Sequence, residues 1–473
     1  MANLCKYYKQ VRQVSYDSGV TWVNLGEVQK GDLYEYNSPS CGGVVEYRWV
    51  NMDSSTDYYC EGTTKYYKQK KQQSTDGGST WQDVSPAEYQ RGTVAEYAST
   101  DCGYVPPTPA GCNDYLTFVA EEAGTFKFSG TTGNDSISYS LDSGTTWYTL
   151  ARNTDSPTVS AGNKIMWKGT MTPTDASGNV GIGRFSSTGR FQVEGNAMSL
   201  LFGDNFTNQT SLVGKNCAFR HLFNGCTKLT SAENLCLPAT TLSKECYANM
   251  FYNCTSLTTA PVLPATTLAR YCYGQMFHYC TSLATAPQLP ATTLAEECYY
   301  AMFASCSNIT TAPQLPATTL TYWCYGHMFS RCSSLRTAPV LLAEALAEKC
   351  YYGMFEYCTS LTIAPALPAT TLAKDCYRFM FQRCTSLTTA PVLSAASLTD
   401  GCYYSMFYGC SNLNYIKCLA TSICSSPSDY EVGCTYTWVS GVSANGTFVK
   451  NSSMSGWSSG TSGIPNNWTV QNA

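Results

Sequence analysis

Three sets of residues in this 473-residue chain have types and spacings that could do chemistry. The first is cysteine: of 25, fourteen fall in two columns, at 246, 272, 298, 324, 350, 376 and 402 and at 254, 280, 306, 332, 358, 384 and 410. Such columns could form disulfides or hold zinc. Zinc is disfavoured, because the chain has no Cys-x-x-Cys pair and only three histidines. Within a unit the two columns are eight residues apart on a segment of helical pattern, roughly 12 Å of rise and beyond disulfide reach. Helices of successive units stack too far apart for routine bridging. The expectation is two ladders of buried thiols, with no metal and no cofactor.

The second set is the string S-x-D-x-G-x-T-W, present at Ser15–Trp22, Ser74–Trp81 and Ser140–Trp147. The string resembles the Asp-box of sialidases and other β-proteins. Its physical content is a hairpin: the aspartate accepts turn amides, the glycine supplies positive φ and the tryptophan packs back over the turn. The structural residues are therefore Asp17 and Trp22, Asp76 and Trp81, and Asp142 and Trp147. Glycoside hydrolysis would need paired carboxylates, or an arginine cluster with a tyrosine nucleophile. No local pattern supplies either, so no catalytic residue is assigned and the chain is expected not to be an enzyme.

The third set varies while its frame stays fixed. Two pairs change from unit to unit: Gly274-Gln275 with His278-Tyr279, Tyr300-Ala301 with Ala304-Ser305, and Gly326-His327 with Ser330-Arg331. The series continues with Tyr352-Gly353 and Glu356-Tyr357, Arg378-Phe379 and Gln382-Arg383, and Tyr404-Ser405 and Tyr408-Gly409. On a helix these positions lie opposite the constant face and meet solvent. Tyr, His and Arg are frequent contact residues. A ring can stack on the apolar face of a sugar while Arg, Gln and Glu take its hydroxyls. The candidate ligand-binding residues are Gln275, His278, Tyr279, Tyr300, His327, Arg331, Tyr352, Glu356, Tyr357, Arg378, Phe379, Arg383, Tyr404 and Tyr408. Drift at unpacked positions, or lateral packing in an oligomer, is the competing explanation. A second candidate face comprises Thr258-Thr259, Ala284-Thr285, Arg336-Thr337 and Thr362-Ile363.

The frame that must position these residues is an array in which Met-Phe returns every 26 residues, from Met250 to Met406, after a looser copy at Leu222-Phe223. This is the signature of a solenoid. Cys272, Tyr273, Met276, Phe277 and Cys280, at i, i+1, i+4, i+5 and i+8, predict the buried face of a helix of about two to three turns. Leu283 and Leu289 supply an inward-facing strand, kept short by Pro287 and Pro290. Thr292 or Thr293 is available to cap the next helix.

Residues 1–105 carry a tandem duplication: Lys6-Tyr7-Tyr8-Lys9-Gln10 recurs as Lys65-Tyr66-Tyr67-Lys68-Gln69. Two Tyr-rich β modules are expected there. Val105-Pro106-Pro107-Thr108-Pro109-Ala110-Gly111 marks a stiff linker over 106–111. Alternating strands over 112–196 suggest a β-sandwich. The array with its entry occupies 197–418, and Trp438, Trp457 and Trp468 in 419–473 form an aromatic cap over the last unit.

Net charge is −4 with 13% charged residues, which leaves no basic footprint for nucleic acid or a membrane surface. No run reaches the length of a membrane span, and Met1-Ala2-Asn3-Leu4-Cys5-Lys6 does not open a signal peptide. Synthesis in a cytosol is expected, with any exterior reached by assembly or lysis.

Cys-Thr-Ser-Leu followed by Ala-Pro-x-Leu-Pro resembles the leucine-rich repeats of BspA-like surface proteins. The Lys-Tyr-Tyr-Lys-Gln modules, Gly195-Asn196-Ala197-Met198-Ser199-Leu200-Leu201, the Leu-Pro-Ala-Thr-Thr-Leu units and Gly446-Thr447-Phe448-Val449-Lys450 extend the likeness to nearly the whole chain. Together they resemble proteins of gut Bacteroides and their phages, including crAss-like phages. The resemblance implies N-terminal all-β modules, an α/β leucine-rich-repeat solenoid and a C-terminal β cap. It further implies a non-enzymatic virion fibre that attaches to a host glycan or surface protein. Residues 1–105 would join other virion proteins, and the fibre would be a homo-oligomer. The rival expectations are a purely structural decoration protein, a bacterial surface adhesin and, more remotely, a glycan-processing enzyme.

Overall fold

The computed structural model describes residues 46–52, 56–61, 64–74, 80–96, 102, 112–130, 137–173, 181–424 and 433–473, with two short strands at 13–14 and 23–24. Regular structure is mostly strand. The one α-helix among the described residues is α1 (Ser199–Phe202), and none there is long and apolar enough to cross a membrane. The chain divides into two compact units, Met1–Val105 and Pro106–Ala473.

In the first unit, β1 (Gln13–Val14) and β2 (Val23–Asn24) pair antiparallel on either side of the first Asp-box. Asp17, Trp22 and Asp76 lie outside the described residues, as does the 106–111 linker. A five-stranded sheet follows, from β3 (Glu46–Asn51), β4 (Tyr58–Glu61), β5 (Thr64–Ser74), β6 (Gln82–Asp83) and β7 (Tyr89–Glu96). Its long central strand β5 carries the Lys-Tyr-Tyr-Lys-Gln string. Among the described residues here no large apolar side chain is fully buried. Cations over rings do the packing instead: Lys65 over Tyr58 at 4.4 Å, Lys68 over Tyr89 at 4.4 Å, and Arg48 over Trp81 at 4.3 Å. A Cys60–Cys102 disulfide joins β4 to the end of the unit.

The second unit begins with β8 (Leu116–Ala120), β9 (Phe126–Ser129), β10 (Ile137–Ser140), β11 (Tyr148–Leu150), β12 (Lys164–Lys168), β13 (Arg184–Ser187) and β14 (Phe191–Asn196). With β15 (Leu229–Cys236) these form a six-stranded sheet, β11-β10-β12-β8-β14-β15, and a two-stranded one, β13-β9. Phe126 and Phe185 of the small sheet pack on Phe118, Trp167 and Phe191 of the large one, and Phe128 packs beside Phe185 within the small sheet. The edge strand β15 (Leu229–Cys236) belongs to the first unit of the array, pairs parallel with β14, and is tied back to residue 112 by the Cys112–Cys236 disulfide. Phe223 touches both Phe118 and Phe185, so sheet and array share one core.

The helices expected in the array are not there. Tyr271, Gln275 and Tyr279 have φ of 55°, 54° and 62°, and the same every-fourth-residue pattern recurs from Cys217 to Ser405. In the unit at 272–280, the amides of Cys272, Gly274, Met276, His278 and Cys280 donate to carbonyls three residues back. The alternate amides, of Tyr273, Gln275, Phe277 and Tyr279, donate instead to Cys298, Tyr300, Met302 and Ala304 of the next unit. A helix would spend every amide within itself. This ribbon of consecutive turns spends half of them on its neighbour, which brings units closer than the 8–10 Å of packed helices. The rings record the spacing: Phe251, Phe277, Phe303, Phe329, Phe355, Phe381 and Phe407 stack at 5.3 to 5.9 Å. A parallel column runs from Tyr247 to Tyr403.

Opposite the ribbon, units meet through single parallel bridges such as Thr241–Thr267–Thr293–Thr319. At the far end β16 (Tyr415–Cys418), β17 (Thr447–Lys450) and β18 (Thr469–Asn472) form a parallel sheet. Trp438 ends both ring columns, 6.0 Å from Tyr403 and 6.2 Å from Phe407, and stacks on Trp457 at 5.5 Å.

Candidate functional site

The cysteine columns are interior. All fourteen are buried and free. In one column the thiol donates to the backbone carbonyl of a phenylalanine in the preceding unit, as Cys280 Sγ does to Phe251 O at 3.0 Å. Burial pushes the Cys272 and Cys332 thiols up to about 12, far from a reactive thiolate. Among the described residues no cluster of three or more His, Cys, Asp or Glu side chains could hold a metal.

The third Asp-box is the described example of its hairpin. Asp142 Oδ1 accepts from the Thr146 amide at 2.8 Å and from Ser140 Oγ at 2.7 Å, and Ser140 Oγ accepts from the Gly144 amide at 2.9 Å. Ser143 and Gly144 have φ of 58° and 86°. The Thr146 amide, then the Ser140 hydroxyl, hold the Asp142 carboxyl down to about 2. Trp147 packs against Tyr115 at 4.9 Å and beneath Lys168 Nζ at 4.3 Å.

The variable stripe lies along one side of the turn ribbon. Its residues are less exposed than a helix surface would leave them: Tyr279, Arg331 and Arg383 are exposed, and the other eleven candidates are half-buried. The cause is the close stacking, which sets each side chain against the one in the next unit. Tyr352, Phe379 and Tyr404 form a row at 5.3 and 5.2 Å, with Arg378 over Tyr404 at 3.9 Å. Tyr357 lies beneath Arg331 at 4.6 Å and Arg383 at 5.5 Å, and Arg383 reaches Tyr408 at 5.7 Å. Tyr271 and Trp323, absent from the candidates, extend the row through Tyr300, which is 5.3 Å from Trp323; Trp323 is 4.6 Å from Tyr352. Their signal was an aromatic directly before the constant cysteine, where other units carry Glu, Lys, Asp or Gly. Gly326 is what lets the indole in, since a Cβ there would sit 2.3 Å from it.

Seven candidates surround one depression of about 250 Å³: Gln275, His278, Tyr279, Tyr300, His327, Arg331 and Glu356. Its base is the unit at 298–306, where Ala301, Ala304 and Ser305 stand in place of Gln275, His278 and Tyr279 before them and His327, Ser330 and Arg331 after. Glu356 Oε2 lies 3.4 Å from His327 Nδ1 and accepts from Ser330 Oγ at 3.5 Å. Gln275 accepts from the Tyr271 hydroxyl at 3.0 Å and lies 3.3 Å from His278 Nδ1. Burial, then the charges of His327 and Arg331, lower the His278 imidazole to about 4, so it is neutral at pH 7.

A larger cavity of about 540 Å³ lies where the sheets meet the first repeat of the array, lined by Asn153, Arg184, Arg220 and His221 among others. Residues 131–136 and 174–180, outside the described residues, adjoin it in sequence. Arg220 there is paired with Glu245 at 2.8 Å. Against family models, curated proteins and solved structures, the chain shows no match.

Proposed function

We propose that this chain is a non-enzymatic attachment protein, a fibre component of a phage particle of the BspA-like kind. In this reading the 26-residue units form a solenoid that contacts a bacterial surface through its variable stripe. One observation carries the reading: across near-identical units the interior columns are fixed, whereas the side chains along one outer edge change and include Tyr, His, Trp and Arg. A purely structural stack needs the first feature and has no use for a row of partly exposed rings and cations. The Cys60–Cys102, Cys112–Cys236 and Cys424–Cys434 disulfides support a working life outside a reducing cytosol. The first unit, β-rich and lacking large buried apolar side chains among its described residues, would join other particle proteins.

Fluorescently labelled full-length protein, incubated with intact gut Bacteroides cells, tests this. Saturable binding at micromolar protein or below supports attachment. Absence of binding across a strain panel would favour the structural decoration reading.

A further inference from the structure

The depression over Ala301, Ala304 and Ser305 contains a polar group with no assigned task. Ser305 is 8% exposed, and its hydroxyl has no hydrogen-bond partner within the protein. Burying a hydroxyl unsatisfied is unfavourable, so such a group signals a missing partner. The position is set by the fold, because the flanking units carry Tyr279 and Arg331 where this one carries serine. Those units stand two steps apart, at 5.6 and 5.7 Å per step between the phenylalanines. The hollow is therefore one unit wide, a slot for a single small ring.

We propose that this hollow is a subsite for one neutral pyranose residue of a surface glycan, an inference that rests on the attachment reading above. The methyl groups of Ala301 and Ala304, 3% and 4% exposed, give an apolar floor. Tyr279, 42% exposed, and Tyr300 offer ring surface at the sides. A pyranose presents both an apolar C–H face and a rim of hydroxyls that donate and accept. Ser305 and Gln275 match that rim by doing both, the Glu356 carboxylate accepts and the Arg331 guanidinium donates. One carboxylate beside one guanidinium suits a neutral ligand better than an acidic one. An extended peptide would bring backbone amides that a floor of two methyl groups leaves unpaired.

The test uses the full-length chain and free galactose, glucose, mannose and N-acetylglucosamine, followed by saturation-transfer NMR titration. At least one sugar is expected to bind saturably. Ser305→Ala is expected to weaken that sugar about fivefold or more while the melting temperature stays level or rises, since no protein partner is lost. Ala304→Trp fills the hollow and should abolish binding. The subsite is overturned if none of the four sugars binds saturably, or if both variants bind as the wild type does. It is also overturned if Ser305→Ala lowers the melting temperature, which would assign the hydroxyl to the fold. Cell attachment separates the two readings. Wild-type attachment that neither sugar nor Ala304→Trp reduces removes the subsite, points to a protein receptor and leaves attachment standing. Sugar binding without cell attachment does the reverse.

Discussion

Each variable pair in the array ends on a residue with positive φ: Gln275 and Tyr279, Ala301 and Ser305, His327 and Arg331, Phe379 and Arg383. Left-handed backbone costs an L-residue roughly 1–2 kcal/mol, and the alternating hydrogen bonds between units hold it in place. Ala301, at φ 48°, is a clean place to measure that cost, because its side chain is one methyl group. Ala301→Gly is expected to raise stability by ~0.5–1 kcal/mol in denaturant unfolding, after the added chain entropy of glycine is subtracted. Destabilisation would contradict the backbone description. The tyrosine column supplies a second residue-level test. The buried Tyr247, Tyr299 and Tyr325 hydroxyls have no hydrogen-bond partner, so their contribution is ring stacking alone. Tyr299→Phe should be neutral or stabilising by up to about 1 kcal/mol, whereas Tyr299→Leu should cost more by breaking the stack.

The turn ribbon is the element that sequence reading mistook for a helix, and the reason is physical. Over nine residues, burial at 272, 273, 276, 277 and 280 suits a period of 3.6 as well as one of four. The four-residue period was legible in the identical spacing of Cys272, Met276 and Cys280. What hid it was the composition of the left-handed positions. Asn249, Asn253, Gly353, Gly401 and Gly409 are residues that ordinarily mark such backbone, but Tyr271, Trp323, Arg331 and Phe379 are not. The interior lists of Cys, Tyr, Met, Phe and Leu were unaffected, because both backbones bury the same side. The depression was out of reach, since it depends on small residues in one unit falling between large ones in two others. The far-ultraviolet circular dichroism of the full chain should accordingly lack the α-helical double minimum. A strongly helical spectrum would restore the helices and remove the alternating hydrogen bonds.

At the scale of the molecule, the second unit is one core that runs from the sheets through the array to Trp438, so its stability responds as a whole to strain at either end. Two half-buried histidines, His221 and His278, lie two units apart along it. Burial, with Arg220 and Arg184, lowers His221 to about 4, and burial, with His327 and Arg331, does the same for His278. With folded values below the ordinary 6.5, the unfolded chain binds more protons between pH 6.5 and 4. Stability is therefore complete above pH 6.5 and lost as pH falls toward 4. The melting temperature should drop across that window, and His278→Gln should flatten part of the drop. A wild-type melting temperature that is level or rises would refute the assignment.

The role of the outer stripe is tested most directly by the cell attachment of one variant. Tyr279→Ala, Arg331→Ala and Arg383→Ala combined remove the three exposed side chains of the stripe while leaving every interior column intact. The triple variant should retain the wild-type melting temperature within a few degrees and bind target cells at least about tenfold more weakly, the loss of one or two contact residues at an interface. Attachment equal to wild type, in a protein equally well folded, would contradict the claim that the stripe is where this molecule makes its contact.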